Sequence, residues 1–147
     1  MSMKKKATVT TPTNKQAGNI THTRAMAEEV IAALRNAGVQ TKLVGSVATK
    51  GQSEKDIDLL YEGEGMDDES NNAYMQAMQN LGFEWYGTDS ETEWGYLETW
   101  VKPLQGKFDE NGDVRDEQDN LIENPQLVTV DVFFGGDMEP LKYAAAQ

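Results

Sequence analysis

The amino-acid sequence predicts an α+β fold in which helices flank a mixed β-sheet, with a β-hairpin excursion late in the chain. Three observations carry this prediction. Two segments repeat apolar residues at helical spacing and stop at a glycine. Five short runs are rich in β-branched and aromatic residues. The two kinds of segment are interleaved, with no internal repeat and no interdomain linker between them.

Residues 1–20 show no periodicity and read as a flexible basic arm carrying Lys4, Lys5 and Lys6, which leaves 21–147 as the domain. Met26, Val30, Leu34 and Ala37 then share one helical face, with Thr21 or Thr23 as N-cap and Gly38 as the stop. Val39 to Val44 is a strand that ends at Gly45-Ser46, and the polar stretch Val47 to Lys55 leads into a second strand, Asp56 to Tyr61. Asp68 or Ser70 caps a second helix, in which Tyr74, Met78 and Leu81 line one face and Gly82 closes the end. Its methionines read as packing residues, since Met fills irregular gaps in cores.

Phe83 to Tyr86 and Trp94 to Val101 are aromatic strands joined by a polar turn, hence a hairpin. Phe83, Trp85 and Trp94 offer rings for core packing or for stacking on a base. The stretch 105–124 holds the turn signal Asn111-Gly112 and few apolar residues, so it is read as an extended hairpin or loop excursion. Leu127 to Phe134 is a strongly β-prone strand with a single charge, Asp131, and ends at Gly135-Gly136; the tail KYAAAQ is expected to add a helical turn.

Composition removes several chemistries. The chain has no cysteine, which excludes disulfides, thiolate metal sites and cysteine nucleophiles, and its single histidine, His22, rules out His-rich metal sites. No apolar run approaches the ~20 residues needed to cross a bilayer, and the basic opening lacks the apolar stretch of a secretory signal. A cytoplasmic protein with no membrane partner is expected. Thirteen Lys and Arg against 25 Asp and Glu give a net charge of −12, which opposes broad binding to nucleic acid. Five of the acids fall between Glu62 and Glu69 and seven between Asp109 and Glu123, stretches that read as solvated loops. Asp109-x-Asn111-Gly112-Asp113 departs from a calcium loop, because its glycine falls too early.

Three features bear on chemistry. Gly45-Ser46 directly follows a strand; glycine lets backbone N–H groups approach an anion and serine adds a donor, although the same pair also makes an ordinary turn. Asp56 and Asp58 stand two apart on a strand, so their carboxylates point to one side. Two such carboxylates repel unless a cation lies between them, and Mg²⁺ takes oxygen ligands of this kind; an exposed pair on an edge strand is the alternative. Asp131, among Val128, Val130, Val132 and Phe133, is either a paired buried carboxylate or a residue on a solvent-facing side.

Taken together, Val44-Gly45-Ser46, a nine-residue spacer and Asp56-Ile57-Asp58-Leu59 resemble the signature of the DNA polymerase β-like nucleotidyltransferase superfamily. Ala48, Gly51 and Ser53 match the spacer of its small single-domain members, and Asp131 matches the third acidic position. The resemblance implies a minimal nucleotidyltransferase that moves an NMP from an NTP to a hydroxyl, releasing pyrophosphate by a two-metal displacement. It implies Asp56, Asp58 and Asp131 as catalytic ligands of Mg²⁺ or Mn²⁺, and Gly45 and Ser46 as contacts to the β- and γ-phosphates. Lys50, or Lys55, would offset phosphate charge or is a plain surface lysine. The acceptor implied is a protein or small molecule, with a second copy or another subunit completing the cleft. A noncatalytic nucleotide-binding or assembly protein of the same fold is the competing expectation.

Overall fold

The computed structural model describes residues 20–63, 67–92 and 95–134, and their side chains apart from those of residues 90–92 and 95. The expected N-terminal arm, Trp94, the Gly135-Gly136 stop and the tail turn lie outside the described residues.

A two-residue strand, β1 (His22–Thr23), runs into helix α1 (Arg24–Asn36), whose N-cap is Thr23; its hydroxyl accepts from the Met26 amide at 3.3 Å. Ala27, Val30 and Leu34 form the buried stripe of α1. The next strand, β2, is shorter than its β-prone run and spans Thr41–Val44.

The polar stretch, which the sequence leaves without an assigned element, contains a short helix, α2 (Gly45–Lys50), and a strand, β3 (Gln52–Ser53), that pairs with β1. Six residues with two β-branched members are poor helix formers alone, so tertiary contacts hold α2 in place. Val47 is fully buried, and the Arg24 guanidinium donates to the Val47 and Ala48 carbonyls at 3.3 and 2.8 Å. Gly51, at φ +83°, ends the helix in the left-handed region.

Strand β4 (Ile57–Tyr61) and helix α3 (Asp68–Asn80) follow. The cap of α3 is Asp67, one residue before the expected pair. Its carboxylate accepts from the Ser70 amide at 2.7 Å, which leaves Asp68 and Glu69 in the first turn, where the helix dipole favours acids. The aromatic hairpin is longer than expected: β5 (Glu84–Thr92) pairs with β6 (Gly95–Pro103). Within the excursion, β7 (Lys107–Phe108) and β8 (Val114–Arg115) form a small hairpin. Its turn is tied by Asp109, which accepts from the Asn111 and Asp113 amides. The last described strand is β9 (Leu127–Phe133).

The main sheet has the order β2-β4-β9-β6-β5, with β4 and β9 parallel and every other neighbour antiparallel. Alternation along the strands sorts side chains between its two faces. Ile57, Leu59, Val128, Val130, Val132, Trp100 and Trp85 pack against α1 and α3 as the principal core. Phe83 is buried in the same core, so the rings of Phe83 and Trp85 are packing residues and not a base-stacking surface. Here Trp100 Nε1 donates to the Tyr74 hydroxyl at 2.6 Å, and Glu98 accepts from Tyr96 at 2.8 Å. Val44, Leu60 and Phe133 form a separate small cluster with Leu97 on the opposite face. That second face carries the acidic residues.

Candidate metal centre

Register assembles the site. In the parallel pair β4–β9, Asp58 stands opposite Asp131; across the antiparallel pair β6–β9, Asp131 stands opposite Thr99. Directly opposed residues share a face, so all three project away from α1 and α3. Because β4 lies between β2 and β9, Asp58 is not on an edge strand. Asp56 sits just ahead of β4 in a turn held by Ser53, whose Oγ accepts from the amides of Lys55 and Asp56 at 3.1 and 3.4 Å. One carboxylate oxygen from each of Asp56, Asp58 and Asp131 lies within 4.8 Å of the others.

Burial and neighbouring charge perturb Asp58 and Asp131. Burial, then the charges of Asp56 and Asp131, push the Asp58 carboxyl up to about 9. Burial and the Asp56 charge raise Asp131 to about 7, while a hydrogen bond from Thr99 pulls the other way. That bond, from Thr99 Oγ1 to Asp131 Oδ1, measures 2.6 Å and occupies one of the two oxygens of Asp131. Like charges this close repel, so each ionised carboxylate makes the next harder to ionise unless a cation or a proton lies between them. A divalent cation would relieve that repulsion. An all-oxygen carboxylate donor set suits the hard ions Mg²⁺ and Mn²⁺.

Gly45 opens α2 immediately beside Asp58. Its φ of +75° lies in the left-handed region, and a Cβ there would run into Asp58 Oδ2. Two constraints thus require glycine at one position. Ser46 is exposed in the first turn of α2, where no side chain caps the helix. Lys50 is exposed at the other end of α2, ~7.5 Å of helix rise from Gly45. The structure therefore gathers Asp56, Asp58, Asp131 and Gly45, sets Ser46 next to them in sequence and leaves Lys50 at the far end of α2.

Sequence reasoning missed two contributors. Thr99 carries no local signal, since its partner is 32 residues away and is chosen by the pairing of β6 with β9. In the sequence His22 argues against His-rich metal sites; in the structure it is fully buried and bonded to Ser53 and Thr129. The Thr129 hydroxyl, on the same side of β9 as Asp131, is buried and finds no hydrogen-bond partner among the described residues. Glu98 adjoins Thr99 but faces α3, where it interacts with Tyr74, and so stands outside the acidic group.

Comparison with models of known families and with curated proteins returns no match to this chain. Among the described residues no helix is long and apolar enough to cross a membrane.

Proposed function

We propose that this protein is a Mg²⁺-dependent nucleotidyltransferase of the DNA polymerase β-like kind, moving an NMP from an NTP to a hydroxyl on a protein or small molecule. The observation that carries the reading is the meeting of Asp56, Asp58 and Asp131 beside Gly45, at the spacing of that superfamily's signature. The raised Asp58 and Asp131 support it, because carboxyls held partly protonated against one another are prepared to exchange protons for a cation.

In this reading Asp56 and Asp58 would hold the metal on the triphosphate side, and Asp131 would complete the acceptor side. The bound ions would neutralise triphosphate charge and make the acceptor hydroxyl more acidic. Backbone amides at Gly45 and Ser46, with the Ser46 hydroxyl, receive the β- and γ-phosphates. The acceptor oxygen forms a bond to the α-phosphorus, the bond to pyrophosphate breaks, and the free oxygen of Asp131 takes up the hydroxyl proton. Thr99 keeps that carboxylate turned toward the acceptor. A net charge of −12 favours a protein or small-molecule acceptor over RNA.

The test is incubation with each α-³²P-labelled NTP, Mg²⁺ or Mn²⁺, and cell extract. Label is expected on protein or a small molecule, with pyrophosphate released and with Asp131→Asn nearly silent. Metal-dependent NTP binding without transfer to any acceptor would overturn catalysis and leave a binding module.

A further inference from the structure

We infer that His22 is a positioning residue for the acidic site: its imidazole ties the turn that delivers Asp56 to the strand that delivers Asp131. This role rests on the nucleotidyl-transfer reading and extends it to a residue outside the signature.

Both ring nitrogens are used. Nε2 lies 3.0 Å from the Thr129 amide, and Nδ1 lies 3.0 Å from the Ser53 carbonyl. A backbone amide can only donate, so Nε2 is the acceptor, the ring is neutral, and its proton sits on Nδ1, donating to Ser53. Burial lowers the imidazole below its ordinary pKa, which keeps it in that form.

Each anchor leads directly to a carboxylate. Ser53, held by its carbonyl, uses its own hydroxyl to accept from the Asp56 amide at 3.4 Å. Thr129 precedes Asp131 by two residues and shares its side of β9. Strand β4 pairs with β9 only from Ile57 opposite Val130 onward, so the His22 ring stands in for a strand partner at Thr129. An apolar residue at 22 would fill the space, leave the buried Thr129 amide unpaired and remove the ring's bond to the half-buried Ser53 carbonyl. The partners are 31 and 107 residues away from His22, a reach that suits fixing one segment against another rather than shaping a local turn.

The two nitrogens can be separated experimentally. An Asn amide reaches the Nδ1 position and can donate to Ser53; a Gln amide reaches the Nε2 position and can accept from Thr129. With Mn²⁺ and a nonhydrolysable NTP analogue, His22→Asn is expected to bind metal within about 3-fold of the parent. It should lose transfer by ~10–100-fold, because only the Asp131 strand is released. His22→Gln is expected to weaken Mn²⁺ binding by ~10–100-fold, because the Asp56 turn is released. Equal behaviour of the two variants, tracking only their stability, overturns the positioning role and leaves a structural histidine. A parent protein without Mn²⁺ binding overturns the transferase reading and this role with it, whereas normal parent binding with unaffected variants overturns this role alone. If neither variant folds, the parent decides by NMR. The His22 proton is expected on Nδ1, and Mg²⁺ with the analogue should slow hydrogen exchange at the Thr129 amide. A proton on Nε2, or unchanged exchange, overturns the proposal.

Discussion

Gly45 and Asp58 face each other so closely that no side chain fits between them: a Cβ on residue 45 would collide with Asp58 Oδ2, with Asp58 Cβ and Cγ both 3.1 Å away. The end of β2 and the start of α2 are thereby pressed against the most strongly perturbed carboxyl of the site. Glycine is required here by φ and by contact together, independently of any phosphate.

Gly45→Ala should therefore be costly even without ligand. A non-glycine residue at this φ costs about 1–3 kcal/mol, to which the displacement of Asp58 adds. Denaturant unfolding of the metal-free protein measures the loss. The variant should also lose the joint stabilisation by Mg²⁺ and NTP, since the displaced carboxylate is a proposed ligand. Stability equal to the parent's would contradict the tight approach.

Stability without metal should fall as pH rises. Asp58 and Asp131 titrate near 9 and 7 in the folded protein against 3.8 for a free carboxyl, so between these values the folded state holds more protons than the unfolded state. Stabilisation is complete below about pH 4 and is lost as pH climbs through 7 and then 9, at no more than about 1.4 kcal/mol per pH unit for each group. Thermal melts from pH 5 to 9 should decline, and Asp58→Asn should flatten the upper part of the curve. Comparing parent with variant cancels the general repulsion of an acidic protein.

Mg²⁺ or Mn²⁺ with NTP should raise the melting temperature much more than either alone, because carboxylates and phosphates would share the ion. The rise should grow with pH, since protons compete for the same oxygens. Asp58→Asn is expected to fold and to lose this synergy. Equal stabilisation in EDTA would remove the metal from the account.

Thr99→Val keeps shape and deletes the donor to Asp131. A hydrogen bond to a charged group contributes about 1.5–3 kcal/mol, which the variant should lose above pH 7, where Asp131 is ionised in the parent. Label transfer should fall by ~10–100-fold, with triphosphate affinity nearly unchanged. Single-turnover measurements with α-labelled NTP distinguish the two effects.

Ser46→Ala should weaken triphosphate binding by at most about 1.5–3 kcal/mol, one hydroxyl contact to charge. Lys50→Ala should do less, given the exposed position of Lys50 at the other end of α2. Isothermal titration with a nonhydrolysable NTP compares them; unchanged affinity in Ser46→Ala would sink the phosphate-contact role.

What the amino-acid order determined by itself depends on near neighbours. Helical spacing from Met26 to Leu34 and from Tyr74 to Met78 placed both long helices, and the β-branched run ending at Phe133 placed the strand that carries Asp131. Asp56 and Asp58 were legible as a converging pair from a strand's two-residue repeat, although the strand begins only at Ile57 and the Ser53 turn, not the strand, carries Asp56 to the site. Tertiary structure decided what depends on distant segments. The six-residue α2 exists because Arg24 and the core hold it, and no local periodicity announces so short a helix. The parallel pairing of β4 with β9 decided that Asp58 meets Asp131, and the pairing of β6 with β9 decided that Thr99, and not its neighbour Glu98, supplies the hydrogen bond. A shift of one residue in either register would turn these side chains to the helix-covered face, and such registers are set by burial of whole strands, a property no short window of sequence contains.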